Sequence, residues 1–258
     1  MRGHKSAIVT VMLFFIILLT IPLNTALANN TFFSGNMDIV YVHRTGNNIT
    51  GNGTFAEPFA SISMAYSVVA DGGTIAVLSN LDSLNFPATV TLNLSKTVTI
   101  TSYSGDGVKS LVPFEIMPGN FLATEQSLFI ISNGHIILEN ITLNAQFRAR
   151  AFYVGSNGAL TIGTGATITR SGYTSAQNRF FRGGGVFVRF GGVLNLKGGT
   201  ISGNISAATP GQFRYGGGIY LENGATLNLY SGSITANYSG HSGGGIFTNP
   251  GSYIHIKE

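Results

Sequence analysis

Three runs of Gly-Gly-Gly, at 183–185, 216–218 and 243–245, divide the second half of the chain into repeating units. The first two runs are 33 residues apart and the next two 27. Each run opens a short apolar strand, a Gly-containing turn and a second strand. A strand unit of this length cannot bury its apolar face alone, so the pattern predicts a solenoid of stacked coils. Such an architecture favours an extended binding surface over a single pocket.

The coils align by their apolar pairs, Ile136/Leu138, Leu160/Ile162, Leu194/Leu196, Leu227/Leu229 and Ile254/Ile256. Strand alternation sends these pairs to one face and the residues between them, Ile137, Thr161, Asn195, Asn228 and His255, to the other. Ile168, Ile201 and Ile234 recur later in each coil, and Asn204 and Asn237 follow the last two by three residues. Stacked Asn side chains at a turn predict a structural hydrogen-bonded ladder along the coil axis.

Charged residues make up 9% of the chain, against roughly 25% in ordinary soluble domains. Hydrophobic content of 44% excludes disorder. The surface is therefore left to Thr, Ser, Asn and Gly, as in many extracellular β-rich proteins. The chain has no cysteine, which excludes a disulfide framework, a thiolate metal site and a lipoprotein anchor.

Residues 1–28 read as a secretory signal: Arg2 and Lys5, a nearly continuous apolar run over 7–23, and Ala26-Leu27-Ala28 as cleavage site. An uncleaved anchor is the alternative. No wall-sorting or lipidation motif is evident at the C-terminus. Loss of Arg2 and Lys5 leaves 12 Lys and Arg against 10 Asp and Glu. Charge is unevenly spread, since no acid lies between Glu139 and Glu222, a window that holds Arg148, Arg150, Arg170, Arg179, Arg182, Arg189, Lys197 and Arg214.

Upstream of the repeats, Ile39 to Val42 predicts a first strand, and a Gly/Asn-rich loop follows. A helix is expected from Pro58, with Phe59, Ile62, Tyr66 and Val69 on one face, ending at Asp71-Gly72-Gly73. Strands are expected at 74–78, 90–94 and 98–101. The order Tyr41-Val42, Gly/Asn loop, Ala56-Glu57-Pro58-Phe59-Ala60-Ser61-Ile62 and Asp71-Gly72-Gly73-Thr74-Ile75-Ala76-Val77-Leu78, continued by the glycine repeats, resembles right-handed parallel β-helix proteins of the pectin-lyase-like superfamily. The resemblance covers most of the chain after the signal. It implies an all-β right-handed parallel β-helix whose open end is plugged by a short N-terminal capping helix. The expected organisation is a signal peptide at 1–28, the strand and capping helix at 29–73, and coils at 74–258. Ile254-His255-Ile256-Lys257-Glu258 lies inside a coil, so an uncapped C-terminal end and self-association through it are expected.

Two rows of residues are candidates for function. Tyr153, Phe187, Tyr220 and Phe247 sit at the centre of aligned triplets and are expected to face outward as an aromatic row about 4.8 Å per coil. Such a row suits sugar stacking or protein binding. The alternatives are a loop folded over the row, or an inward orientation. Phe147, Phe180 and Phe213 recur at 33-residue spacing beside Arg148, Arg179, Arg182 and Arg214. Arginine interleaved with aromatics suits anionic polymers. The alternative is inherited repeat sequence with solvated arginines.

Gly51 to Ala56 fits G-x-G-x-x-A, but no βαβ series follows. Gly240-His241-Ser242-Gly243-Gly244 fits G-x-S-x-G, but it lies in the glycine repeat and has no strand-to-helix elbow. Lyases of the resembled superfamily hold calcium with clustered acids, and its hydrolases use grouped Asp. Here Asp38, Asp71, Asp82 and Asp106 all precede the repeats, so the arginines of the central coils lack acidic partners.

The repeats Gly198 to Asn204 and Gly216 to Tyr220 also resemble those of prokaryotic adhesin-like surface proteins. The expectation is a non-catalytic secreted or cell-surface binding protein with no cofactor and no metal. Its partner would be an extracellular polysaccharide, a cell-envelope polymer or a neighbouring surface protein, and not nucleic acid. A polysaccharide lyase or glycoside hydrolase is the first alternative, and a structural stalk the second.

Overall fold

The computed structural model describes residues 37–82, 84–85, 89–105, 107–118, 127–173, 182–206 and 214–258. The predicted signal, Arg179, Phe180 and Phe213 lie outside the described residues. No helix among the described residues is long and apolar enough to cross a membrane.

β1 (Met37–Val42) and β2 (Val69–Val77) pair in parallel, and the segment between them carries α1 (Ile62–Val68). Phe59, Ile62, Tyr66 and Val69 are all buried, as their helical spacing predicts. The helix is shorter than that spacing suggests. Its N-cap is Ser61, whose hydroxyl accepts from the Met64 N–H at 3.3 Å. Phe59 instead bridges to Val42, donating its N–H to the Tyr41 carbonyl and accepting from the His43 N–H. Pairing with β1 overrides helical continuation there. At the other end Val69 turns extended, and Lys96 Nζ donates to the Tyr66 and Val69 carbonyls at 2.5 and 2.7 Å. The helix therefore stops before Asp71-Gly72-Gly73, which lies inside β2.

The next strands are β3 (Val90–Leu92), β4 (Thr97–Ser102), β5 (Phe114–Ile116), β6 (Ser127–Glu139), β7 (Ile141–Asn144) and β8 (Arg150–Gly163). The repeats supply β9 (Thr167–Thr169), β10 (Gly172–Tyr173), β11 (Val186–Val188), β12 (Val193–Ser202), β13 (Ile205–Ser206) and β14 (Ile219–Leu221). The last are β15 (Thr226–Thr235), β16 (Tyr238–Ser239), β17 (Ile246–Thr248) and β18 (Tyr253–Ile256). One parallel series runs β1-β2-β4-β6-β8-β12-β15-β18. A second runs β8-β11-β14-β17, a third β5-β7-β9-β12-β15, and a short one β10-β13-β16. The result is an all-β chain with one long, curled parallel sheet, consistent with a β-solenoid.

The apolar pairs fall in the expected register. Leu194 pairs with Leu160 and Leu227, Leu196 with Ile162 and Leu229, and Leu227 and Leu229 with Ile254 and Ile256. Ile168, Ile201 and Ile234 form a further inward row. The rows line a continuous apolar core from Val40 to Leu227, with Leu229 and Ile234 packed against it and Ile254 and Ile256 exposed. At the corner after each third-series strand, Arg170, Gly203 and Ala236 adopt positive φ of 48°, 65° and 51°. The asparagine ladder also forms. Asn204 Nδ2 donates to the Asn237 Oδ1 at 2.9 Å and to the Ile168 carbonyl at 3.0 Å, while its Oδ1 accepts from the Ser171 N–H.

Candidate functional site

Tyr153, Phe187, Tyr220 and Phe247 are consecutive register partners across β8, β11, β14 and β17. Their neighbours Phe152, Val154, Val186, Val188, Ile219 and Leu221 fill the core, so alternation sends the four rings to the other face. The rings stack nearly parallel, with centroids 5.3, 5.1 and 5.4 Å apart and interplanar angles of 5°, 8° and 12°. In-register stacking one coil apart sets this spacing.

The row is roofed rather than bare. Phe187 is 9% exposed and Tyr220 2%. The Arg150 guanidinium lies 5.0 Å from the Phe187 centroid, and Arg182 lies 5.4 Å from that of Tyr220. Tyr215, the bridge partner of Arg182 in the next coil, takes the equivalent place over Phe247 at 4.4 Å. Phe187, Tyr220 and Phe247 are thus each covered by a planar group from the preceding coil. Ring faces carry negative potential, which favours a guanidinium there. Arg150 is held besides by the Arg182 and Gly183 carbonyls and the Ser127 hydroxyl.

The opposite edge follows a second rule. Arg189, Glu222 and Asn249 each stand two residues beyond an aromatic of the row. Arg189 Nη1 donates to the Tyr153 hydroxyl at 3.2 Å, and Asn249 Nδ2 to the Tyr220 hydroxyl at 2.8 Å. Phe187 offers no hydroxyl. Glu222 beside it instead accepts from the Phe190 N–H at 3.1 Å and sits 3.8 Å from Arg189.

The predicted arginines have different fates. Arg148 is exposed, and it stands four residues before Phe152 just as Arg182 stands four before the paired Val186. Arg182 is half-buried on Tyr220. Arg214 is fully buried, and that burial pulls its guanidinium below the usual arginine range. Arg179 lies outside the described residues. Arg170, exposed and not singled out from sequence, lies 5.4 Å over the Phe147 ring. The segments 171–181 and 206–215, which carry Arg179 and Arg214, are flanked by paired residues, Gly172 with Ile205 and Arg182 with Tyr215. Arg150, Arg170 and Arg189 were visible as members of the acid-free window, but nothing in their spacing marks which ring each one meets.

A separate outer face is formed by β6, β8, β12, β15 and β18. His135 Nε2 and the Thr161 hydroxyl share a 2.8 Å hydrogen bond, Asn195 Nδ2 donates to Thr161 Oγ1 at 3.2 Å, and Asn228 Nδ2 to Asn195 Oδ1 at 2.8 Å. Burial and the Lys197 charge both lower the His135 pKa. The acids serve local contacts: Asp82 pairs with Arg44 at 3.5 Å and Glu139 with Lys109 at 3.0 Å. No group of three or more His, Asp and Glu side chains among the described residues could hold a metal ion.

No protein-family model matches the sequence, and neither a curated protein nor a solved structure shows significant similarity to it.

Proposed function

We propose that the chain is an exported, non-catalytic, adhesin-like right-handed parallel β-helix, capped at its N-terminal end by α1 and akin to the pectin-lyase-like superfamily. It binds an anionic surface polymer along the arginine-bearing edge of its aromatic row. The observation that carries this reading is the roof over the rings. Arg150 and Arg182 cover Phe187 and Tyr220; Arg150 is itself buried and bonded to backbone, so the guanidinium edge offered at this surface is that of the half-buried Arg182. Arg148 and Arg170 extend the positive edge beside Phe147, within a window that contains no acid. Planar donors in a fixed fork match carboxylate, sulfate and phosphate.

The test is binding of the purified protein to acidic and neutral polysaccharides at low and high salt. Salt-sensitive binding to acidic polymers, lost in an Arg148→Ala/Arg170→Ala/Arg182→Ala variant, supports the reading. Absence of binding to every acidic polymer overturns it. Release of unsaturated or reducing sugar ends would point to a lyase or hydrolase instead.

A further inference from the structure

The outer face of β12, β15 and β18 carries a different chemistry from the arginine edge. Ile254 and Ile256 follow the inward row of Leu227 and Leu229, which sends Tyr253 and His255 outward. Their ring centroids are 6.3 Å apart and their planes lie within 1° of each other. Tyr253 is 56% exposed and His255 is also exposed. His255 is the register partner of Asn228, and Tyr230 stands two residues beyond Asn228 on the same strand. Tyr230 is 43% exposed, with Lys197 Nζ 4.5 Å from its ring centroid.

Asn228 therefore sits beside the exposed rings of Tyr253 and His255, with Tyr230, one face of which carries Lys197, two residues further along the strand. Thr161, Asn195 and Asn228 form a second hydrogen-bonded ladder on this face, in which Asn228 donates one of its N–H groups to Asn195 Oδ1. Its carbonyl oxygen and second N–H have no partner among the described residues, and the ladder bond fixes the plane in which they point. The central row Thr161, Asn195 and Asn228 bears no charge.

We infer that this face is a binding site for an uncharged saccharide chain. Exposed rings offer flat apolar surface to the C–H face of a pyranose. A planar amide beside them donates and accepts together, which suits two vicinal hydroxyls. An acidic polymer finds no fork here, since Lys197 is engaged over Tyr230. The inference rests on the reading of the chain as a polymer-binding protein, at a face distinct from the arginine edge.

The experiment is titration of the purified protein with a soluble β-glucan, a mannan and a xylan, at low and high salt. The chain has no Trp, so emission from its 10 tyrosines can be followed directly, and loss of the ligand-induced change in Tyr253→Ala assigns that change to this face. The expected result is salt-independent binding to at least one of the three. It is weakened at least tenfold by Tyr253→Ala and by Asn228→Ala, and unchanged in Arg148→Ala/Arg182→Ala. Tyr253 is exposed, so Tyr253→Ala keeps the fold where Asn228→Ala loosens the ladder. Circular dichroism of both variants checks this. No binding to any of the three overturns the inference while leaving the acidic-polymer reading intact. Binding that survives Tyr253→Ala, or that disappears with the two arginines, overturns it as well.

Discussion

Arg182 of one coil lies over the ring of Tyr220 in the next, its guanidinium carbon 5.4 Å from the ring centroid. Arg150 stands in the same relation to Phe187 at 5.0 Å. Arg150 is buried and serves the fold alone, whereas the half-buried Arg182 ties function to fold, since a cation that would meet a polymer is positioned by a ring that holds the coils in register.

Truncating a ring should cost more than removing its roof. Tyr220→Ala removes a fully buried ring with a neighbour on each side, and is expected to destabilise by about 3–5 kcal/mol. Arg182→Ala should cost about 1 kcal/mol or less, the size of a partly exposed cation–π contact. Chemical denaturation of the two variants checks the ranking, and equal losses would contradict it.

The asparagine ladder is expected to be structural. Asn204→Ala strips the Ser171 N–H and the Ile168 carbonyl of their partner in a buried corner. Each unsatisfied group costs about 1–3 kcal/mol, so a loss of about 2 kcal/mol or more is expected. A melting temperature matching that of the unsubstituted protein would refute the ladder's role.

Ala236 occupies with φ of 51° the corner position that Gly203 fills one coil earlier. Left-handed backbone costs an L-residue roughly 1–2 kcal/mol, while glycine costs roughly 0.5–1 kcal/mol in unfolded-state entropy. Ala236→Gly is therefore expected to stabilise by a few tenths to about 1 kcal/mol. Gly203→Ala should do the reverse, and thermal unfolding of the pair reads both signs.

Acid should weaken the fold through His135. Burial first, and then Lys197, lower its folded pKa below the ordinary 6.5. The unfolded chain therefore binds the proton more readily, and stability present above pH 6.5 is lost as pH falls through the folded value. His135→Gln is expected to flatten that part of the profile in unfolding measured between pH 7 and pH 5. An unchanged profile would place the titration elsewhere.

The coil register was legible because period-two alternation broken by glycine turns leaves little freedom to slip. The Leu160, Leu194 and Leu227 row and the Asn204–Asn237 ladder were both readable in that way. The outward sense of Phe187 and Tyr220 followed from the same alternation, but their cover did not. Whether an outward ring is bare depends on side chains contributed by the preceding coil, and sequence spacing does not say that Arg150 and Arg182 fold back onto those rings. The burial of Arg214 was hidden for the same reason. Helix α1 was legible in its buried face but not in its start, because the Phe59–Val42 bridge is a long-range pairing.

The most direct measurement is the affinity of the protein for a soluble acidic polysaccharide, compared with the Arg148→Ala/Arg170→Ala/Arg182→Ala variant at low and high salt, with melting temperatures recorded alongside. The account predicts binding that weakens with salt and falls at least tenfold in a variant that still folds. Equal affinity in the two proteins, or no binding by either, would contradict it.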